Sequence, residues 1–266
     1  MVNRSSVARG SLPDLAIKGG TMPFQEGESA RVLFAVQIQH RPWLYLISKR
    51  ILDVVVSAVA LILLLPIMWL IGLLVKLDSP GPAIYKQKRV GFSRRVDGWQ
   101  EVWVANTFTI WKFRTMCDGA DPEIHRTFVK AFIQDDKRTM AKLQGQGPEL
   151  HKLVHDPRVT RVGRFLRKTS LDELPQLGNV LKGDMSLVGP RPPIPYEVDE
   201  YRPWHCQRLE VKPGLTGLWQ VSARSSAGFN EMVRLDIQYV EQQSFWLDLR
   251  ILLKTPLAVL SGRGAV

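Results

Sequence analysis

Residues 54–75 form a run of 22 positions, from Val54 to Val75, without one charged side chain. At about 1.5 Å per residue, a helix of that length matches the roughly 30 Å hydrocarbon thickness of a bilayer. A core helix of a soluble protein is seldom apolar on every face over such a distance. The run therefore reads as a membrane helix, expected over about residues 51–77. Two details bear on how it sits. Arg41, Lys49 and Arg50 precede it, and Lys76, Lys86, Lys88, Arg89, Arg94 and Arg95 follow it. Positive flanks are retained on the cytoplasmic side, so basic residues at both ends favour one face for both. Pro66, mid-run, removes a helix hydrogen bond and marks a place for a bend. A helix that enters, bends at Pro66 and leaves by the same face accounts for both details. A single span with a tolerated proline accounts for the length, and the residues leave both readings open.

Composition matters here through charge. A formal net charge of +11 over 266 residues calls for negative partners: lipid head groups, nucleic acid or phosphorylated substrates. Beside a membrane segment, anionic lipid and nucleotide phosphate are the simpler partners. A nucleic-acid binder would interleave basic residues with stacking aromatics, so no nucleic-acid partner is expected. Cys117 and Cys206 fit neither a metal spacing nor a disulfide framework. Residues 1–48 are polar and punctuated by Gly, Ser and Pro, and are expected to be disordered or poorly ordered. Within them, Arg31–Gln39 is too short an apolar run for a secretory signal. The folded unit is expected over 49–266, with Ser79-Pro80-Gly81-Pro82 ending the membrane helix and opening a cytoplasmic part over 78–266.

Within that part, Phe108 to Met116 alternates as a strand, with Phe108, Ile110, Lys112 and Arg114 on one face. A helix is expected around Ile124–Ile133, followed by a Gly145–Pro148 loop. Arg158, Arg161, Arg164 and Arg167 recur every third residue, interleaved with Val159, Val162, Phe165 and Leu166, as in an amphipathic helix with a basic outer face. A second amphipathic stretch covers Phe229–Leu260.

The densest chemistry is Arg167-Lys168-Thr169-Ser170-Leu171-Asp172-Glu173-Leu174-Pro175. Ser170 and Glu173 have capping-box spacing, which would turn Glu173 back onto a backbone N–H. Pro175 opposes a helix running through from Leu171, and a helix over Pro175–Lys182 stopped by Gly183 fits equally. Either way two carboxylates and two cations lie near a helix start, where an anion is favoured. Structure and chemistry explain the cluster equally well at this level. In Val188-Gly189-Pro190-Arg191-Pro192-Pro193 the prolines pre-set the backbone around one arginine. Its planar fork suits phosphate, though a stiff surface turn explains the segment alone. Lys112 and Arg114 would add charge to such a pocket, or simply face solvent. Lys212-Pro213-Gly214-Leu215-Thr216-Gly217 reads as a rigid loop or turn. No dinucleotide, Walker, zincin or nucleophile-elbow motif occurs.

Taken in order, Lys49-Arg50-Ile51-Leu52-Asp53, Phe108–Met116, Asp156–Thr160, Arg167–Gln176, Gly183–Pro192, Lys212–Val221 and Leu235–Leu253 resemble the bacterial sugar transferase family of small monotopic phosphoglycosyl transferases. The likeness runs over residues 49–266. It implies an α+β fold: a mainly helical membrane-associated domain with a small β element and one N-terminal reentrant (monotopic) membrane helix. It also implies transfer of a hexose-1-phosphate from a UDP-sugar to undecaprenyl phosphate with release of UMP. Work of this kind belongs at the cytoplasmic face of the bacterial inner membrane, as a first membrane step of exopolysaccharide synthesis. In the family pattern Asp172 is the nucleophile that becomes a phosphosugar ester, and Glu173 binds Mg²⁺. Lys112, Arg167 and Arg191 match family positions near the phosphates, and Arg114, sharing the strand face of Lys112, is counted with them as phosphate-binding. A homo-oligomer is allowed by this reading, not required. Leu65-Pro66 stands where the family often has Ser-Pro at the helix bend. Gly217–Val221 and Ser261–Ala265 resemble the exopolysaccharide-initiating branch, which points to UDP-glucose or UDP-galactose.

Overall fold

The computed structural model describes residues 30–31, 42–97, 100–119, 123–144, 158–222 and 228–260. Most of the expected N-terminal extension, and the Gly145–Pro148 loop, lie outside these residues. The long helix α1 runs from Trp43 to Asp78, 36 residues, or about 54 Å. It starts after Pro42, whose carbonyl accepts from Tyr45 N–H at 3.0 Å. Residues 43–48, expected to lack order, are therefore its first turns. Pro66 lies inside it, and the helix is unbroken on either side.

Alpha1 is a poor fit to water. Ile62, Leu63, Leu65, Trp69 and Leu77 are among its many large apolar side chains left exposed, far more than single scattered ones. Its other side packs on the domain at two levels. Ala60 and Leu61 meet a core of Ile110, Val180, Met185, Leu187 and Ile251. Met68, Ile71 and Val75 meet Phe113 and Leu166.

Strands β2 (Ile84–Asp97) and β3 (Gln100–Phe113) form a long antiparallel hairpin, in register from Ile84 opposite Phe113 to Asp97 opposite Gln100. The two residues of β1, Ala30–Arg31, pair with the outer part of β3. The strand expected over Phe108–Met116 thus begins earlier and ends at Phe113. One residue further on, Arg114 N–H still donates to the carbonyl of its register partner Ala83, 2.8 Å away.

Helices α2 (Glu123–Gln134) and α3 (Lys137–Gln144) follow, α2 matching the expected helix. Helix α4 (Arg161–Thr169) is the basic amphipathic segment, with Thr160 Oγ1 capping Gly163 N–H. A 3₁₀ turn at Leu171–Glu173 then leads into α5 (Gln176–Lys182). Gly183 closes α5 at φ 93°, the left-handed geometry that glycine adopts freely.

Strand β4 (Ser186–Val188), the short helix α6 (Pro195–Val198) and a 3₁₀ segment at Pro203–Leu209 come next. Strand β5 (Gly214–Thr216) lies parallel to β4, Ser186 opposite Gly214 and Val188 opposite Thr216. The backbone of Gly189 leaves no room for a side chain at Gly214, so the two loops meet main chain to main chain. Helix α7 (Leu218–Ser222) follows; the expected C-terminal amphipathic stretch is then two helices, α8 (Phe229–Gln242) and α9 (Phe245–Leu260). Ser244 Oγ accepts from Leu247 N–H at 3.2 Å and starts the second of them. The α+β assignment, mainly helical with small strands, agrees with this architecture.

Candidate active site

Asp172 and Glu173 lie on the 3₁₀ turn between α4 and α5. Ser170 takes a left-handed conformation, φ 57°, which reverses the chain at the end of α4. Its side chain makes no capping bond, so the capping-box reading fails. The carboxylate of Glu173 reaches across instead, accepting from Lys112 Nζ at 3.0 Å and pairing with Arg191 Nη1 at 3.2 Å. Asp172, its neighbour, has no hydrogen bond or ion pair among the described residues. One carboxylate is locked and the other is free.

Each cation is held from behind. Lys112 sits on β3, where Asn179 of α5 supplies both halves of a clamp. Its Oδ1 accepts from Trp111 N–H at 3.1 Å, and its Nδ2 donates to the Thr109 carbonyl at 2.8 Å. Arg191 is not an idle surface turn. Arg208 Nη2 donates to its carbonyl at 3.4 Å, and Arg89 Nη1 donates to that of Pro192 at 2.8 Å. Arg208 is in turn fixed by Asp236 at 2.6 Å and by the Tyr201 hydroxyl at 2.9 Å. Arg167 donates from Nε to Thr115 Oγ1 at 2.9 Å and adds positive potential at Asp172.

Arg114, expected beside the phosphates, is elsewhere. Its guanidinium donates to the carbonyls of Pro80 and Ser79, at 2.7 and 2.6 Å, and satisfies the chain just beyond the C-terminus of α1. Its face-sharing with Lys112 failed because the strand ends one residue before it.

The electrostatics separate the two acids. Burial pushes the Asp172 carboxyl above its ordinary value, Lys112 opposes that, and the Glu173 charge adds to it. Burial also disfavours charge on Glu173. There the Lys112 and Arg191 charges, with the Lys112 hydrogen bond, prevail and hold it well below the usual carboxylate range. Burial lowers Lys112, partly offset by Glu173, whereas the Glu173 charge raises Arg191. Glu173 thus stays ionised as a fixed counter-charge, while Asp172 faces an electropositive cleft unpaired. Such a cleft suits a phosphoryl group beside a carboxylate nucleophile.

No group of three His, Cys, Asp or Glu side chains converges among the described residues. That rules against a protein-only cage there. Mg²⁺ commonly takes one or two protein carboxylates and completes its octahedron with water and substrate phosphate oxygens. Asp172 and Glu173, adjacent at the cleft, fit that use.

The start of α1 is wired to the same site. Lys49 Nζ donates to the Val188 carbonyl and pairs with Asp248, both at 2.9 Å. Arg50 donates to the carbonyls of Val180 and Leu181 at the end of α5, both at 2.7 Å. Asp53 Oδ1 accepts from Ser186 Oγ at 3.0 Å and Leu187 N–H at 2.8 Å. Lys49 and Arg50, read in the sequence as flanking charges, are structural clamps on β4 and α5. Sequence reasoning missed Arg89, Asn179, Arg208 and Asp236 as supports. Asp236 left the only trace, an acid on the buried side of an amphipathic helix.

Residues 44–262 match the family described as bacterial sugar transferase. The galactosyl transferase CpsE of Streptococcus agalactiae serotype III (strain NEM316) is 40% identical over 222 residues, which are 83% of this chain and 44% of that protein. The undecaprenyl-phosphate galactose phosphotransferase of Salmonella typhimurium (strain LT2) is 42% identical over 217 residues, 82% of this chain and 41% of that one. The exopolysaccharide production protein ExoY of Rhizobium meliloti (strain 1021) is 39% identical over 219 residues, 82% of this chain and 88% of ExoY. The chain thus spans less than half the length of the first two relatives and most of the third. The matched region contains the membrane-type helix, the clamp at its start and the Asp172–Glu173 turn, and the chain belongs to the bacterial sugar transferase family.

Proposed function

We propose that this protein moves a hexose-1-phosphate from a UDP-sugar to undecaprenyl phosphate, releasing UMP. The observation that carries the reading is the division of labour between neighbours: Glu173 is locked by Lys112 and Arg191, and Asp172 is unpaired in the same electropositive cleft. In the first half-reaction an Asp172 carboxylate oxygen attacks the sugar-bearing phosphorus. The bond from phosphorus to the bridging oxygen breaks, and UMP leaves with that electron pair. Lys112, Arg191 and Arg167 offset the repulsion between carboxylate and phosphate. In the second half-reaction the phosphate oxygen of the lipid attacks the same phosphorus and releases Asp172. Bound Mg²⁺, held by Asp172 and Glu173, would supply further neutralisation of phosphate charge. The relatives' names point to the sugar and the acceptor, since one is a galactosyl transferase and another an undecaprenyl-phosphate galactose phosphotransferase. A galactose or glucose donor is the first to try.

We also propose that α1 re-enters, leaving by the cytoplasmic face of the inner membrane. Lys49, Arg50 and Asp53 near one end, and Ile71, Val75 and Ser79 at the other, all bind one catalytic unit. A helix that crossed the bilayer would carry those ends to opposite sides and break one set of contacts. Tags before Lys49 and after Val266 should share protection in spheroplasts and share cleavage in inverted vesicles; opposite accessibility would sink the topology.

Incubating the purified enzyme with UDP-sugar labelled at the sugar-bearing phosphate, without lipid, tests the chemistry. Label should appear on the peptide containing Asp172, with UMP released in matching amount. Turnover with lipid present but no labelled peptide would overturn the covalent mechanism.

A further inference from the structure

Gln176 is 3% exposed, and its amide nitrogen has no hydrogen-bond partner among the described residues. An unpaired buried donor is rare in a folded protein, because it forfeits its hydration without replacement. The side chain lines a narrow cleft with Arg89, Lys112, Glu173 and Arg191. Lys112 and Arg191 already share Glu173 Oε1, and Arg89 already donates to Gln87 Oε1 and the Pro192 carbonyl, so the Gln176 N–H is a buried donor of this lining left without an acceptor among the described residues. The Gln176 N–H therefore calls for a ligand that brings an acceptor. The backbone explains why Gln176 is there. Leu174 and Pro175 keep right-handed helical angles between the 3₁₀ turn and α5. Gln176 thus lies one turn beyond Glu173 and lines the same cleft as it does.

We propose that Gln176 is a catalytic residue whose amide N–H donates to a non-bridging oxygen of the transferred phosphoryl group, forming an oxyanion subsite with Arg191. The assignment rests on the donor reading given above. As Asp172 forms its bond to phosphorus and UMP departs with the electron pair of the broken bond, the non-bridging oxygens remain anionic. No proton has to move, so the amide acts only by donating a hydrogen bond.

The test uses the full-length protein in detergent or nanodiscs, comparing wild type with Gln176→Leu and Gln176→Met. Each variant replaces the unpaired amide with hydrocarbon of similar size. The unfolding midpoint should hold or rise, because a buried group that lacked a partner is gone. Single-turnover UMP release at saturating donor should fall by about 10²-fold, the usual effect of losing one oxyanion donor. Unfolding midpoints lowered in both variants would make Gln176 a structural residue and overturn the proposal, as would release rates within about threefold of wild type. Inorganic pyrophosphate gives an arm that does not need the nucleotide donor. Wild type should bind it, and Gln176→Leu about tenfold more weakly, the loss of one hydrogen bond to a charged group. Equal binding, or none by wild type, overturns the subsite. If wild type binds pyrophosphate but releases no UMP from any UDP-sugar, the donor reading fails while the subsite survives.

Discussion

Two arginine–carboxylate clusters are joined through the Arg191 carbonyl in this protein and do opposite work. Around Arg208 and Asp236 both side chains are 1% exposed, the pair is 2.6 Å apart, and Tyr201 and the Arg191 carbonyl accept further guanidinium bonds. Around Glu173 the cluster opens to solvent, with Arg191 37% and Glu173 19% exposed, and a second carboxylate, Asp172, is left without a partner. The same chemistry becomes scaffold where it is closed and site where it is open. Burial raises the cost of leaving a charge unpaired, so the closed cluster is rigid. In the proposed function the open one exchanges its internal pairing for a phosphate. The first cluster grips the backbone of the second through the Arg191 carbonyl, which is how rigidity reaches the cleft.

The largest effect should come from the open cluster. Asp172→Asn keeps size and removes the attacking anion, so transfer should fall by about 10⁴-fold with the unfolding midpoint unchanged. Retained UMP release by this variant would erase the distinction between the two clusters. Next comes the closed one. Arg208→Leu strands the Asp236 charge in the core and should cost about 3–5 kcal/mol of stability. Adding Asp236→Leu should restore much of it, because a matched apolar pair replaces a matched ionic one. Chemical denaturation of the two variants reads this directly, and a single variant as stable as wild type would show that the pair is not structural.

The smallest effect is a shift in pH dependence. In the proposed mechanism Asp172 must be ionised to attack, and burial with the Glu173 charge holds its pKa above the ordinary carboxylate value. Release of UMP should therefore fall as pH drops through that raised value. Glu173→Gln removes the neighbouring negative charge and frees Lys112 and Arg191 to face Asp172. Both changes favour the ionised form, so the acid limb of the residual activity should move to lower pH. A limb that stays put or moves upward would mean that the two carboxylates do not sense one another.

The sequence by itself determined the elements whose signal is local. Twenty-two uncharged positions fix the apolar character of α1 whatever surrounds it. Gly183 ends α5 because of its own backbone freedom, and the adjacency of Asp172 and Glu173 is covalent. The family likeness named those two acids, together with Lys112, Arg167 and Arg191, from short motifs. What sequence could not decide is which local option the tertiary structure would select. Ser170 and Glu173 had capping-box spacing, yet two cations from β3 and the Gly189–Arg191 loop outbid a single backbone N–H for the carboxylate. Arg114 alternated with Lys112, yet one residue beyond the strand it turned to the Ser79 and Pro80 carbonyls just past the end of α1. Lys49 and Arg50 looked like flanking charges until β4 and α5 offered them carbonyls across more than a hundred residues of chain. The common reason is that a charged or amide side chain reaches as far as its longest contact. Its partner is set by which segments the fold brings within 3 Å, and a one-dimensional pattern carries no such distance.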